Sequence, residues 1–373
     1  DYVILNCWAL GSWPTGINFF TGARFQGKVV NVGTNLEEAV DVLRTLGPKY
    51  RYLLAGYPPF LYHLVQECKK EGIVLSKYTA DVVSGGEGFV EEWRDSLIEV
   101  FGRSSVIFSV YGSTDKGLGE GLETNFAYAV RSLIYIASTM LYDKNEAEHI
   151  MALRFGRATL PFDEVGAREF LLSFVKEERN IQRVPMVFQF NPMIFYNENH
   201  PMLDPMQKRE VDEFITTILS PEITIPRIRY NIHDEGRVML YEEVVSVLRR
   251  HTISLADVNP RKDRYIDLKL PFLLLFGRSD GTISVDGANI FPEDIEECLH
   301  LDERLFASLS SFQLFVSNDY RVGIALELKE GEENEDDIRR GVGAIFTREL
   351  ARVSLGYGEL VRDNLPSRHF VIE

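Results

Sequence analysis

Two predicted strands are each followed by a loop whose residue types suit contact with a phosphate or a base. Residues 79–83 form an apolar run that predicts a strand, and residues 84–88 follow it with the sequence Ser-Gly-Gly-Glu-Gly. Residues 106–110 predict the next strand, and residues 111–115 follow with Tyr-Gly-Ser-Thr-Asp. Because ligands bind outside the carboxyl ends of strands in an open parallel sheet, the two loops are candidates for one binding site.

The side chains of these loops suit a nucleotide. Glycines let backbone N–H groups come close to a ligand, and the hydroxyls of Ser113 and Thr114 can hydrogen-bond phosphate oxygens. Asp115 offers a carboxylate to Mg²⁺, a hard cation that prefers oxygen ligands, and Tyr111 offers a ring on which a base can stack. Each feature also has a structural explanation, because glycine after a strand commonly forms a turn and a single tyrosine commonly packs in a core.

Two later segments carry further charged residues. Residues 229–236 have the sequence Arg-Tyr-Asn-Ile-His-Asp-Glu-Gly, in which Asp234 can accept hydrogen bonds from two ribose hydroxyls. The alternative is a charged turn that caps a helix starting near Glu242. Residues 276–296 begin with Phe-Gly-Arg-Ser-Asp-Gly, which by itself indicates a turn between domains followed by a hairpin.

The elements that would position these residues alternate along the first third of the chain. Short apolar runs alternate with longer amphipathic ones, which is typical of βαβ units with right-handed crossovers. The sequence therefore predicts an α/β fold with a large, mostly parallel sheet. The predicted strands are residues 28–32, 50–55, 79–83 and 106–110, and the predicted helices are residues 36–46, 59–70 and 90–101.

The later parts of the chain differ from the first third. Residues 124–220 predict mainly helices, and a shift in composition near Gly277 predicts a boundary close to residue 279. We therefore expect a large domain at residues 1–279 and a small α+β domain at residues 280–373. Within them, the pattern predicts helices at 169–178 and 209–219, a strand at 184–190, a loop with Pro192, Pro201 and Pro205, a hairpin turn at Asp286 and Gly287, and a helix that begins at Pro292.

The order and spacing of the four segments resemble the adenylate-forming superfamily of acyl-CoA synthetases, and in particular its phenylacetate-CoA ligase branch. The family's YG-x-T-E motif resembles residues 111–115, where Asp115 replaces the glutamate, and its D-x-G motif resembles residues 234–236. The resemblance extends over essentially the whole chain, although residues 124–226 match no motif. The family's hinge motif is matched by Gly277, Arg278, Asp280, Ile283, Gly287, Ile290, Pro292, Ile295 and Glu296.

The resemblance implies a role for each matched residue. Asp234 would bind the ribose with help from Arg278, and Asp280 would be the hinge about which the small domain rotates between two half-reactions. Trp8 and Trp13 lie where the family places walls of the acyl pocket, although both could be core residues. The remaining implied contacts are Tyr111 on adenine, Gly86 and Glu87 along the base, Gly112 and Ser113 in the nucleotide loop, Thr114 on the α-phosphate and Asp115 on Mg²⁺.

The implied activity is a two-step ligation that uses ATP, Mg²⁺ and coenzyme A. A carboxylic acid would attack the α-phosphate of ATP, and a thiol, expected to be coenzyme A, would then take the acyl group from the adenylate. Trp8, Trp13 and residues 19–20 favour an aryl or apolar acid. Two alternatives stay open: a non-catalytic module that binds a nucleotide or an acyl-adenylate, and an adenylating enzyme whose acceptor is a carrier-protein pantetheine or an amine.

Two family motifs find no match in this sequence. The Gly/Ser/Thr-rich phosphate loop would precede Tyr2, and the catalytic lysine would lie late in the small domain. The last lysine of the sequence is Lys329, which lies in a predicted strand before an acidic run. We expect both ends of the chain to be clipped, so that these motifs belong to residues outside it; the alternative is a loss of catalysis.

Composition limits the partners and the compartment. The 373 residues include 40 Lys and Arg against 56 Asp and Glu, a net charge of −16, which disfavours nucleic acid and anionic membranes as partners. The sequence contains no run of about 18 apolar residues, so it predicts no membrane span. Three widely spaced cysteines and no recognisable signal peptide predict a cytoplasmic protein, and a homodimer is expected from the general frequency of dimers.

Overall fold

The computed structural model describes residues 2–11, 14–113, 116–175, 181–203, 210–220, 225–254, 256, 258, 268–331, 334–362 and 370–373. The chain divides into two compact units. The first unit joins Asp1–Thr79 with Asp280–Glu373, and the second unit is Ala80–Ser279. Ser279 and Asp280 lie on either side of this division, and the large domain at residues 1–279 with a small one at 280–373 stays a prediction.

Helices and strands alternate along much of the described chain. The first 79 residues contain β1 (Tyr2–Asn6), α1 (Pro14–Ala23), β2 (Gly27–Asn31), α2 (Leu36–Leu46), β3 (Arg51–Gly56) and α3 (Pro58–Lys70). The second unit contains β4 (Thr79–Gly85), α4 (Glu91–Phe101), β5 (Ile107–Ser113), β6 (Gly117–Leu122), α5 (Asn125–Met140), α6 (Lys144–Phe155), α7 (Glu164–Phe174), β7 (Met186–Phe190), β8 (Phe195–Leu203), β9 (Glu210–Ile218), β10 (Asp234–Met239), α8 (Tyr241–Arg250) and β11 (Phe272–Arg278). The last segment contains β12 (Ile283–Val285), β13 (Ala288–Ile290), α9 (Pro292–Leu299), α10 (Glu303–Ser308), β14 (Leu309–Val316), β15 (Val322–Leu328), α11 (Glu335–Ile345), α12 (Ala351–Val353), α13 (Leu355–Arg362) and β16 (Val371–Ile372).

The N-terminal segment of the first unit follows the predicted alternation of strands and helices. Strand β1 pairs in parallel with both β2 and β3. Helix α2 has the predicted bounds because Asn35 caps its start, its side chain accepting from the Glu38 amide at 3.0 Å, and Gly47 ends it with a φ of +68°. A cap of this kind stabilises a helix by about 1 kcal/mol.

The C-terminal segment of the first unit begins with the predicted hairpin. Asp286 and Gly287 have φ values of +50° and +81°, and they join β12 to β13 in antiparallel register. Gly287 is required for a second reason, because a Cβ there would lie 2.4 Å from the Cζ atom of Tyr57. Helix α9 begins at Pro292, as predicted. These elements confirm the α+β character expected of this segment.

The second unit contains a mixed sheet with the strand order β4-β5-β6-β7-β11-β10-β9-β8. Strands β4 and β5 are parallel, and the neighbouring pairs from β5 onward are antiparallel. The α/β class is confirmed, whereas the mostly parallel pairing holds only for the first strands of the chain. For β5 and β6 the reason is that so short a connection joins antiparallel strands, since a parallel pair needs a long crossover.

The segment between β7 and β10 differs from its prediction. The sequence pattern predicts a helix at residues 209–219, but Glu210–Ile218 is strand β9, paired antiparallel with β8. The predicted loop around Pro201 is also wrong, because Pro201 lies inside β8. Strand β8 is the last in the sheet order, and an edge strand tolerates proline since proline has no N–H to donate to a neighbour. Residues 204–209, which include Pro205, lie outside the described part of the chain.

Helix α5 is the centre of the core of the second unit. Thr124 caps the helix, and both Leu133 and Ile136 are completely buried. Phe126, near its start, contacts Phe272 of β11 edge to face with ring centroids 4.9 Å apart. Each large apolar side chain buried in this way stabilises the fold by about 1.5–3 kcal/mol. The core thereby fixes β11 and, through it, the strands that carry the candidate site.

Candidate functional site

The two glycine-containing loops predicted to meet do lie next to each other. Strands β4 and β5 pair in parallel, with Gly85 opposite Val110, so the loops after them begin at the same edge of the sheet. Gly86 is exposed with a φ of +86°, and Glu87 is half-buried. Gly85 has no room for a side chain, because a Cβ there would lie 2.8 Å from the Val110 carbonyl oxygen.

Tyr111 lies at the end of β5 and is only 8% exposed. Its ring contacts Phe188 and Phe214, with centroids 5.6 and 5.8 Å away. Its hydroxyl donates a hydrogen bond to Oδ2 of Asp234, which is 123 residues away in the chain. Burial, together with the carboxylates of Asp234 and Glu120, raises the pKa of Tyr111 well above its ordinary value, so the phenol stays protonated and remains a donor.

Asp234 begins β10 and is 5% exposed. It lies directly opposite Arg278 of β11, and the distance from Oδ1 of Asp234 to Nη1 of Arg278 is 3.9 Å. Burial raises the pKa of Asp234 above its ordinary value, although Lys116, the Tyr111 hydrogen bond and Arg278 each act in the opposite direction. Tyr111, Asp234 and Arg278 come from three separate motifs and lie together, with Tyr111 and Asp234 buried and Arg278 half-buried; their individual roles stay predictions.

Lys116 is part of the same group, although no sequence motif predicted it. Its buried ammonium lies 2.8 Å from Oε2 of Glu120 and 2.9 Å from the Tyr111 hydroxyl. It also lies 4.9 Å from the centroid of the Tyr111 ring and 5.1 Å from that of Phe214. Burying a lysine ammonium costs free energy unless the charge is paired, as it is here with Glu120. In the sequence, the only indication of its role was that Lys116 directly follows the segment 111–115. We call Tyr111, Lys116, Glu120, Asp234 and Arg278 the tyrosine cluster.

Strands β8 and β9 supply the polar floor of the tyrosine cluster, and the sequence pattern did not predict these residues either. The hydroxyl of Thr216 on β9 lies 2.9 Å from Oε1 of Glu120, 3.5 Å from the Lys116 ammonium and 2.6 Å from Oδ1 of Asn197 on β8. The signal for β9 was its run of β-branched residues, which favours a strand over a helix. It was obscured because side chains on both faces of β9 are buried, so the usual alternation is absent.

A second carboxylate of β9 lies beside the chain that leads into Asp234. Glu213 accepts hydrogen bonds from Nδ2 of Asn231 at 2.5 Å and from the Ser279 hydroxyl, and Nδ1 of His233 lies 3.3 Å away. Burial alone would raise the pKa of Glu213, but the hydrogen bonds from Ser279, Asn231 and His233 hold that pKa below its ordinary value. The Glu213 carboxylate is therefore ionised and well supplied with donors.

The other predicted site residues are placed as follows. Gly112 and Ser113 are half-buried in β5, and the Ser113 hydroxyl accepts from the Lys116 amide at 3.2 Å. Thr114, Asp115 and Trp13 lie outside the described residues. In the first unit, Trp8 is buried and contacts Phe19 edge to face at 4.6 Å, while Asp280 accepts from the Thr282 amide at 3.1 Å. The predicted contacts of these residues with ligands stay predictions.

The described part of the chain was searched for metal-binding groups and for membrane-spanning helices. Across the described ranges, no group of three or more His, Cys, Asp or Glu side chains is arranged to hold a metal ion. The predicted Mg²⁺ ligand, Asp115, is outside those ranges, so this finding does not bear on it. None of the helices in the described part of the chain has the length and apolar character needed to cross a membrane.

The comparisons with known proteins agree with the resemblance at the level of fold. No protein-family model and no curated protein matches the sequence. Among solved structures, 2-hydroxyisobutyryl-CoA ligase in complex with 2-HIB-AMP and CoA in the thioesterification state matches with a TM-score of 0.53 and 16% identity, covering 100% of this chain and 61% of the ligase. The amide bond synthetase McbA from Marinactinospora thermotolerans matches at 0.44 and 13%, covering 100% and 57%. A malonyl-CoA ligase with methylmalonyl-CoA and AMP bound matches at 0.42 and 12%, covering 92% and 59%.

The match to 2-hydroxyisobutyryl-CoA ligase is the one that carries the assignment, because its TM-score exceeds 0.5. At 16% identity it bears on fold alone. The chain spans about three fifths of the length of these structures. The branch of the superfamily is not decided by these matches. The mixed sheet, the small C-terminal α+β segment and this match together confirm that the chain has the fold of the adenylate-forming ligases.

Proposed function

We propose that the chain is part of an enzyme that activates a carboxylic acid with ATP and transfers the acyl group to a thiol. One observation carries the proposal: Tyr111, Asp234 and Arg278, taken from three separate motifs, lie together in one group, in which Tyr111 and Asp234 are buried and Arg278 is half-buried. The likeness to a ligase that was solved with an acyl-AMP and CoA supports the same reading. The branch, the acid and the acceptor are all part of the proposal.

The donor and acceptor chemistry of the tyrosine cluster fits an adenosine. A carboxylate has about four lone-pair positions, so Asp234 can keep its bond from Tyr111 and still accept from two ribose hydroxyls. Arg278 lies on the Oδ1 side of the carboxylate and holds it in place. The Tyr111 ring is covered by Phe188 and Phe214 in this structure, so stacking on adenine requires one face of the ring to be uncovered.

The proposed reaction has two steps. A carboxylate oxygen of the acid attacks the α-phosphorus of ATP, and the bond to pyrophosphate breaks to give an acyl-adenylate. The thiolate of the acceptor then attacks the acyl carbon, and the bond to AMP breaks to give a thioester. Such chemistry depends mainly on positioning and on charge stabilisation, which in this chain falls to Asp234, Arg278 and the predicted phosphate contact Thr114. Mg²⁺ bound at Asp115 would neutralise phosphate charge.

The nature of the acid and of the acceptor follows from weaker signals. Trp8, which is buried, and Phe19, which is half-buried, contact each other and support an aryl or apolar acid, as the phenylacetate-CoA ligase resemblance implies. Coenzyme A is the proposed acceptor, with a carrier-protein pantetheine or an amine as the alternatives. The net charge of −16 supports the absence of nucleic acid and of anionic membranes among the partners. A cytoplasmic location and a homodimer stay expectations.

Two measurements on the intact protein test this function. Calorimetric titration with AMP tests for the nucleotide site, and ATP–pyrophosphate exchange with a panel of aryl and fatty acids tests for adenylation. We expect AMP to bind and at least one aryl acid to support exchange. Binding without exchange for any acid would favour the non-catalytic module, and the absence of AMP binding would contradict both readings.

A further inference from the structure

The carboxylate of Glu213 contacts two stretches of chain that are far apart in sequence. On one side it accepts from Asn231 at 2.5 Å and lies 3.3 Å from Nδ1 of His233. On the other side it accepts from the hydroxyl of Ser279. The two stretches also contact each other, because the Ser279 amide donates to the His233 carbonyl oxygen at 2.8 Å. One buried side chain therefore holds together two segments from the ends of different strands.

Each of these stretches leads directly into a predicted functional residue. Residues 231–233 immediately precede Asp234, the predicted ribose ligand, and Ser279 immediately precedes Asp280, the predicted hinge. Glu213 itself is on β9, where its backbone is in register with Glu235 of β10. The carboxylate is thus anchored to the sheet, one residue away in register from the site carboxylate.

The turn that Glu213 supports does not have a relaxed backbone. His233 has a φ of +63°, a left-handed conformation that a residue with a Cβ rarely adopts without support. The turn is held by the hydrogen bond from the His233 amide to Oδ1 of Asn231 at 2.8 Å, and Asn231 is in turn held by Glu213. The conformation of His233 sets the direction in which the chain enters β10. By holding Asn231, Glu213 therefore helps to set the position of Asp234.

The surroundings of Glu213 make it a strong anchor. The residue is 2% exposed, and a buried carboxylate that loses its donors carries a large desolvation penalty. Hydrogen bonds to a charged acceptor are also about twice as strong as those between neutral groups. No residue of the four family-like segments occupies this position, because β9 belongs to the stretch of chain that matches no motif.

We propose that Glu213 is a positioning residue that couples the nucleotide carboxylate Asp234 to the chain entering the hinge at Asp280. This rests on the proposed function, in which Asp234 binds the ribose. When a nucleotide fixes Asp234, the preceding turn is fixed with it, and Glu213 passes that restraint to Ser279. The residue before the hinge then becomes more firmly held when the nucleotide site is filled.

Amide hydrogen exchange on the intact protein tests the anchor without any ligand. We expect the Glu213→Ala variant to exchange the amides of His233 and Ser279 roughly tenfold to a hundredfold faster than the wild type, as the loss of bonds to a charged group implies. Glu213→Gln conserves volume but keeps a single acceptor oxygen, so it should loosen one stretch more than the other. Glu242→Ala, an exposed glutamate of α8, is the matched control. Unchanged exchange at both amides in a folded Glu213 variant would overturn the proposal.

Addition of AMP then tests the coupling. In the wild type we expect AMP to slow exchange at the Ser279 amide, and in Glu213→Ala and Glu213→Gln we expect AMP still to bind but to leave Ser279 unaffected. A merely structural role would lower stability without removing this response. Ser279→Ala should keep AMP affinity while losing the response at residue 279, with Ser246→Ala on the exposed face of α8 as control. Protection of Ser279 by AMP in the Glu213 variants, or none in a wild type that binds AMP, would overturn the coupling.

Amide exchange without ligand and amide exchange with AMP distinguish a failure of this inference from a failure of the proposed function. If the wild type binds no AMP, the proposed function fails and the coupling fails with it, while the ligand-free exchange rates still decide whether Glu213 anchors both stretches. If AMP binds and the Glu213 variants behave as the wild type does, the proposed function stands and the inference falls.

Discussion

Two groups of buried charged side chains lie in the second unit, and they differ in how completely their charges are paired. The first, which we call the arginine network, contains Arg94, Arg131 and Arg154 with Glu91, Glu123 and Asp95. Glu91 lies within 3.2 Å of all three guanidinium groups. In the tyrosine cluster, by contrast, Asp234 contacts a neutral phenol and lies 3.9 Å from an arginine, while the nearby ammonium of Lys116 is paired with Glu120.

Because their charged partners differ, the pKa values of Glu91 and Asp234 are shifted in opposite directions. Burial alone would raise the pKa of Glu91, but Arg131, Arg94 and Arg154 lower it to about 2. Burial raises the pKa of Asp234, and its neighbours do not overcome that effect. Both carboxyl groups are buried, but their partners differ. Glu91 is an anion fully paired with arginines, whereas Asp234 would be stabilised further by additional hydrogen-bond donors. The second condition is the one expected of a binding site.

The largest expected effect comes from breaking the arginine network. Glu91→Gln leaves three buried arginines with one carboxylate fewer, and removing one partner of a buried ionic group costs roughly 3–5 kcal/mol. We expect the free energy of unfolding, measured with urea, to fall by about that amount. Glu92→Gln, the exposed neighbour on α4, is the control and should be neutral. A loss below about 1 kcal/mol for Glu91→Gln would remove the contrast between the two groups.

The pH dependence of stability provides a second test of the arginine network. Because folding lowers the pKa of Glu91 from 4.5 to about 2, its contribution to stability is complete above about pH 4.5 and is lost as the pH falls towards 2. The shift corresponds to roughly 3 kcal/mol. We expect the wild type to lose that much more stability than Glu91→Gln over this pH range, measured by urea unfolding at each pH. Parallel curves for the two proteins would contradict the assignment.

The tyrosine cluster should respond differently to the removal of its carboxylate. Because burial raises the pKa of Asp234, ionisation of this residue costs stability as the pH rises through that pKa. At neutral pH the neutral side chain of Asp234→Asn avoids this cost, which offsets its lost contacts, so the change in unfolding free energy should stay within about 1 kcal/mol. Affinity for AMP should fall roughly tenfold to a hundredfold, because the ribose hydroxyls lose a charged acceptor. Calorimetric titration and urea unfolding measure the two quantities, with Glu242→Gln as control. A large loss of stability with unchanged affinity would make Asp234 a structural residue.

The smallest effect is expected for Tyr111→Phe. The ring keeps its contacts with Phe188 and Phe214, and Lys116 keeps its ion pair with Glu120. Two hydrogen bonds of the hydroxyl are lost, the one it donates to Asp234 and the one it accepts from Lys116, so the free energy of unfolding should fall by about 1–2 kcal/mol. Tyr142→Phe, an exposed tyrosine, is the control. A fall of more than about 3 kcal/mol for Tyr111→Phe would mean that the substitution also disturbs the ion pair between Lys116 and Glu120.

Features with a local cause were the ones that could be predicted from the sequence. The bounds of α2 follow from Asn35 and Gly47, and the hairpin at Asp286 and Gly287 follows from residues that tolerate positive φ. Motif order also predicted that the loops after β4 and β5 would be neighbours. In each case the sequence signal lies within a few residues of the structure that it specifies.

The parts that the sequence did not predict depend on pairing between distant segments. Strand β9 is paired on both edges, and side chains on both of its faces are buried, so it lacks the alternation that marks a strand. Lys116 and Glu213 escaped prediction for a related reason. A charged residue has no local signature of burial, since its burial depends on partners such as Glu120 or Ser279 elsewhere in the chain.

Pro201 has a consequence for how the sheet ends. Strand β8 carries exposed side chains near its start, among them Tyr196, and a row of backbone groups along its outer edge. An edge of this kind can act as a template on which a second chain adds a strand and aggregation begins. Pro201 has no N–H to donate, and proline in an edge strand is one of the features that hinder the addition of a further strand, so this residue disfavours self-association through β8.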